Sequence, residues 1–162
     1  MRSKTLTVIF GLLVGVGAFL VDRLAKRAVV DGLLHPGQVF FPWIQITSHH
    51  NFGLLGNLPL PTILILVLSF LALVLLSYGL FDALKQGYKL DFLALSLVLG
   101  GALGNLYDRL AYGFVFDWLM FFNTSIINVA DAAITLGLAV YIVRHFLVCG
   151  LSSPANKKEE VN

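Results

Sequence analysis

The sequence predicts an all-α membrane protein: a bundle of four transmembrane helices with a short strand pair between the first and second. Three observations carry this. The chain is 58% hydrophobic and only 12% charged, with a mean hydropathy of +0.87, against about 25% charged residues in soluble domains. Four apolar runs approach the length needed to cross a bilayer. The charged and amide side chains that interrupt them gather at the ends of those runs, at one side of the membrane. With 162 residues the chain is read as a single integral membrane domain, residues 1–162, without a separate soluble domain. A net charge of +2 gives no basic surface for nucleic acid. The lone cysteine, Cys149, excludes an intrachain disulfide and a cysteine-based metal site.

The first span is placed at about residues 5–22. Thr5–Val21 is free of charge, and no small-x-small cleavage signal follows it, so the run reads as an uncleaved span and not as a signal peptide. Gly11 and Gly15 form a small-xxx-small face for helix packing. Residues 22–60 read as a mixed loop. Within it Val39–Thr47 is β-branched and aromatic, broken by Pro42, as in a strand pair at the membrane surface. His49 and His50 are adjacent and would point to opposite sides of an extended segment, a poor metal site.

The second span is expected at about 60–81 and the third at 92–108, with Asp82–Asp91 as the loop between them. The third has about 24 Å of uncharged helix before Asp108, so Asp108 and Arg109 fall near the membrane boundary. The fourth is expected at about 126–146. Only about 18 Å of helix separates Asp131 from Arg144, so the helix has to begin near Ile126, and Asp131 lies within the membrane's edge zone. An aspartate at mid-membrane costs about 2.5–3.5 kcal/mol on insertion scales, which points to function. Residues 152–162 read as a disordered tail.

Four spans put both termini on one side. That side carries Arg2, Lys4, Lys85, Lys89, Arg144, Lys157 and Lys158, and the other carries Arg23, Lys26, Arg27 and Arg109. The positive-inside rule makes the termini cytoplasmic. Asp22, Asn51, Asp108, Asp117 and Asp131 then all fall at the outer face, while Asp82 and Asp91 are inner loop acids.

Asp117 and Asp131 are joined by an apolar stretch, Trp118–Ile127, too short to cross and return. Two carboxylates in one apolar pocket share a proton, the arrangement used for acid–base peptide hydrolysis. Spacing alone leaves open two unrelated edge acids. Asn105, Asp108 and Arg109 share a helix face, with Gly101 one turn earlier allowing another chain to come close and Asn128 one turn before Asp131. Asp108 and Arg109 either belong to the site or lock loops by ion pairing. A proton-relay transporter is the rival reading. It is disfavoured because no acid, lysine or arginine lies between the outer cluster and the inner loops.

The order D-x-x-x-K (Asp22, Lys26), N-x-G (Asn51, Gly53), GGALGNLYDRL…G-x-V-x-D (Gly100–Asp117) and N-x-A-D (Asn128–Asp131) resembles lipoprotein signal peptidase, signal peptidase II, over residues 1 to about 148. The resemblance implies an aspartyl endopeptidase of the bacterial plasma (inner) membrane. It would cut prolipoproteins just before a cysteine carrying diacylglycerol, at the extracytoplasmic face, in contact with membrane lipids, as a monomer without metal or cofactor. It implies a small extracytoplasmic β-cradle and a short surface helix from residues 23–58. Asp117 and Asp131 match the catalytic pair, and Asn51, Asn105, Arg109 and Asn128 match substrate-binding positions. Asp22, Lys26, Gly101 and Asp108 match supporting ones. The chain departs from the pattern at Arg23 (usually Gln), Leu54-Leu55-Gly56 (usually small, small, aromatic), Trp118 and Ile127 (both usually Phe). These departures bear on the cradle's shape and so on substrate preference.

Overall fold

The computed structural model describes residues 2–54 and 58–151. The expected tail, residues 152–162, and the departures at Leu55 and Gly56 lie outside them. Four helices are long and apolar enough to cross a membrane. They are α1 (Arg2–Val30), α2 (Thr62–Gln86), α3 (Lys89–Tyr112) and α4 (Val129–Leu151). α3 is the centre of the bundle: its Phe92, Ala94, Leu95, Val98 and Leu106 are buried, and α1, α2 and α4 all pack on it. Small residues permit this. A Cβ at Gly15 would stand 2.9 Å from the Ser96 carbonyl oxygen of α3, and one at Gly101 would stand 2.5 Å from the Ala130 carbonyl oxygen of α4. Neither position tolerates a side chain without moving a helix.

Several boundaries differ from expectation, each for a physical reason. α1 does not stop at residue 22. Arg23 and Lys26 find carboxylate partners inside the bundle, and Arg27 pairs with Asp31 one turn on at 2.7 Å, so the charges continue the helix instead of ending it. The loop between α2 and α3 shrinks to Gly87 and Tyr88. Gly87 takes φ 79° and its N–H caps Ala83 and Leu84 carbonyls, a left-handed turn that glycine adopts without steric cost. Asp91 is therefore not a loop acid. It is buried in the first turn of α3 and pairs with Arg144 of α4. No surface helix occurs among the described residues between α1 and α2.

The chain is also not all-α. Strands β1 (Val39–Phe41), β2 (Ile44–Asn51), β3 (Val115–Phe121) and β4 (Ser125–Ile127) form one antiparallel sheet in the order β1-β2-β3-β4. Half of it comes from the segment between α3 and α4, which the sequence presented as an apolar turn. β3 buries Val115 and Asp117 on one face and Trp118 on the other, so its apolar residues run on continuously instead of alternating. Trp118 packs with Val29 and Ile46 in a small core that ties the sheet to the end of α1. Because 126 and 127 are strand, α4 starts at Val129, three residues later than expected. The sheet joins the α1–α2 and α3–α4 connections, so it caps one end of the bundle.

Candidate active site

Three elements deliver the polar residues to that end. β3 brings Asp117, the last turns of α3 bring Asn105, Asp108 and Arg109, and the start of α4 brings Asn128 and Asp131. The start of α4 is a reciprocal cap. The Asp131 N–H donates to Asn128 Oδ1 at 2.8 Å, and the Asn128 N–H donates to Asp131 Oδ2 at 3.3 Å. This is a capping box with an aspartate in the third helical position, where the helix N-terminus also favours negative charge. The N-x-A-D spacing thus holds the Asp131 carboxylate by contacts local to the helix start.

Amides connect the two acids. Asn128 Nδ2 donates to Asp117 Oδ1 at 2.6 Å and to Asn105 Oδ1 at 3.2 Å. Asn105 Nδ2 donates to Asp131 Oδ1 at 2.8 Å. From β2, Asn51 Nδ2 donates to Asp117 Oδ2 at 3.0 Å, while its Oδ1 accepts the Gly53 N–H at 3.0 Å. Each carboxylate oxygen of the pair receives one N–H, and each of the three asparagines has both ends engaged, which fixes its orientation. Burial is the largest influence on Asp117 and pushes its carboxyl above the ordinary carboxylate range. The hydrogen bond from Asn51 opposes this, the charge of Asp131 adds to it, and the bond from Asn128 opposes it. Arg109 lies within electrostatic reach of Asp131 and Asp117 and donates to the Gly53 carbonyl at 3.3 Å, tying α3 to the segment after β2.

Beside the pair lies a box of buried charges. Lys26 Nζ stands 2.9 Å from Asp22 Oδ2 and 2.6 Å from Asp108 Oδ2, and Arg23 bridges the same two acids. Asp108 and Arg109, which the sequence left as either a site or a lock, divide the roles: Asp108 pairs across to α1, while Arg109 faces the aspartates. Gly101 contacts α4 at Ala130, the residue before Asp131. Two features were missed. The box has four charges and not three, and Gly104 is its floor, since a Cβ there would stand 2.9 Å from Asp22 Oδ2. The D-R-x-x-K run beside a span end was the available signal. The register also places His49 directly opposite Asp117 and His50 opposite Phe116, so His49 shares the Asp117 face of the sheet.

A family model described as Signal peptidase (SPase) II matches residues 14–147. The chain belongs to the signal peptidase II family. A relative from Aquifex aeolicus named lipoprotein signal peptidase is 34% identical over 143 residues, which is 83% of this chain and 84% of the relative. One of the same name from Sphingopyxis alaskensis is 32% identical, covering 94% of each chain. A solved structure described as a bacterial membrane enzyme superposes with a TM-score of 0.77 at 25% identity, over 88% of this chain and 91% of the other. Against this signal peptidase II background, two of the departures have clear settings: Trp118 fills the sheet's small core, and Ile127 sits in β4 opposite Leu119.

Proposed function

We propose that this signal peptidase II is an aspartyl endopeptidase that cuts diacylglyceryl-modified prolipoproteins just before the lipidated cysteine, at the outer face of the plasma membrane. Its family supports the coarser statement, cleavage of lipoprotein signal peptides. The observation that carries the mechanism is the pair Asp117 and Asp131, on different elements, buried or half-buried, joined through Asn128 and Asn105 with no cation bonded to either among the described residues. Amides orient carboxylates without neutralising them, and burial disfavours two full charges in one pocket. The pair therefore holds one proton.

The chemistry follows. The ionised aspartate takes a proton from water as the water oxygen attacks the scissile carbonyl carbon, and its partner gives its proton to the carbonyl oxygen. The tetrahedral intermediate collapses when the amide nitrogen leaves with a proton from the pair. One water is consumed, and a new carboxyl and a new amine result. Asn51, Asn105 and Asn128 hold the carboxylates, and Asn51 and Arg109, which lies within electrostatic reach of both acids, are the groups this reading assigns to the peptide backbone. Asp22, Lys26, Asp108 and Gly101 support the two strands of chain that carry the acids. We infer cytoplasmic termini from the lysines and arginines at the opposite end of the bundle. We also infer a monomer, because one chain supplies both acids and every amide around them.

The test is a gel-shift cleavage assay on purified protein with a lipidated prolipoprotein, its unmodified precursor, and the Asp117→Asn and Asp131→Asn variants. Cleavage of the lipidated substrate by wild type alone is expected. Turnover by either variant at the wild-type rate overturns the aspartyl mechanism.

A further inference from the structure

We propose that Arg23 is a positioning residue for the aspartate pair, closing a charge-balanced box whose two acids hold the peptide N–H groups immediately before Asp117 and Asp131. This rests on the reading of those aspartates as the reacting groups. Asp108 Oδ2 accepts the Phe116 N–H at 3.3 Å, one residue before Asp117. Asp22 Oδ1 accepts the Ala130 N–H at 3.0 Å, one residue before Asp131. The two reactive carboxylates hang from these two anchor points, on a strand and a helix that are otherwise separate in sequence. The separation of the anchors follows that of Asp22 and Asp108, so the cations between them help to set it, together with the Asn128 bridge and the β3–β4 pairing.

Lys26 alone would leave two carboxylates to one ammonium. Arg23 makes the count two against two. Its guanidinium bonds Asp108 Oδ1 through Nη1, and through Nη2 it reaches Asp22 Oδ2 at 2.6 Å and the Gly104 carbonyl at 3.2 Å. It is thus forked across both acids and pinned to α3. Its side chain is 18% exposed, against 5% for Lys26, so it is the outermost member of the box. Tyr107 lies 4.9 Å from the guanidinium carbon and Phe19 5.9 Å, their rings 6.2 Å apart edge to face. Arg23 is a lid on the seam between α1 and α3, with aromatic faces against its own charge. A planar, permanently charged fork suits this place, and a lysine would satisfy only part of it.

Removing that charge acts on the pair in two ways. The anchors loosen, and one uncompensated negative charge remains beside the aspartates. The groups facing them are Asp22 and Lys26 of α1, Asn51 and His49 of β2, Asn105, Asp108 and Arg109 of α3, and Asn128 before α4; none offsets the lost charge. Extra negative charge favours retention of the shared proton, so the pH–activity profile moves to higher pH.

The experiment compares wild type, Arg23→Gln and Arg23→Lys in kcat, KM and pH profile on a lipidated prolipoprotein, with thermal unfolding in detergent as the folding control and Asp117→Asn in parallel. For Arg23→Gln, kcat is expected to fall roughly tenfold with KM nearly unchanged, and the profile to move up by roughly half a unit or more. Arg23→Lys returns the profile to its wild-type position and recovers kcat only in part. An unshifted profile in Arg23→Gln, whether stability is kept or lost, overturns the proposal and leaves Arg23 at most a brace. Full turnover by Asp117→Asn would instead overturn the reading of the pair, which separates the two failures.

Discussion

Two pairs of acids, all buried but for the half-buried Asp131, lie side by side at the sheet end of this bundle, and they are treated oppositely. Asp22 and Asp108 are bonded to Lys26 and Arg23 and to backbone N–H groups. Asp117 and Asp131 receive only amides: Asn51, Asn105, Asn128 and a helix-start N–H. The first arrangement spends the carboxylates on structure, because cations at 2.6–2.9 Å and N–H donors occupy their lone pairs. The second holds two carboxylates in place without cancelling their charge, which leaves them able to exchange a proton. The far end of α3 supports the contrast. There the buried Asp91 is also matched by an arginine, Arg144. What sets the proposed reactive pair apart is not burial or charge but the kind of partner.

The sharpest way to break the comparison is to exchange the two pairs' fates. Asp117→Asn and Asp131→Asn should each lower cleavage by roughly a thousandfold or more while the protein still unfolds cooperatively in detergent; a loss under tenfold would erase the distinction. The charge-paired acids should respond in stability first. Lys26→Met leaves Asp22 and Asp108 sharing Arg23 alone, and breaking a buried pair in this way costs about 3–5 kcal/mol. A thermal melt shows it, and an unchanged melting temperature would mean the box carries little of the fold.

The sequence made the site more legible than the scaffold around it. The short uncharged run from Asp131 to Arg144 shows an acid too deep in a span to be a loop residue, and the structure explains the N-x-A-D spacing as a capping box. Asp22, Lys26 and Asp108 stand together in the sequence only as supporting positions of the family resemblance. Their meaning was not legible, because Asp108 is 82 residues from Lys26 and only folding shows that each box acid holds the residue before a reactive one. The helix ends were misplaced where charge was taken as a stop signal: α1 runs through Asp22, Arg23 and Lys26 because those charges are neutralised inside. β3 was missed because a strand buried on both faces has no alternation to read.

Asn128→Ala should cost less than the loss of either acid. It removes a donor to Asp117, a donor to Asn105 and the cap on Asp131. The cap alone stabilises by about 1 kcal/mol, and a hydrogen bond to a charged group by about 1.5–3 kcal/mol, so cleavage should fall by roughly ten- to a hundredfold. A loss equal to that of Asp117→Asn would mean that Asn128 itself takes part in the chemistry.

The smallest effect is one of pH and follows from Asp117 alone. Burial lifts its carboxyl above the ordinary range in the folded protein, so the folded state binds this proton more tightly than the unfolded chain does. The stability it contributes is complete below the ordinary carboxylate value and is lost as pH rises toward the raised one. Wild type should therefore gain thermal stability as pH falls through the raised value toward the ordinary one, and the proton needed for cleavage should be lost at a higher pH than an ordinary carboxylate loses its own. Melting curves and kcat measured across the same buffers check both at once. A wild-type melting temperature whose pH dependence is unchanged in Asp117→Asn would show that Asp117 does not keep its proton on folding, and the contrast between the two pairs would be gone.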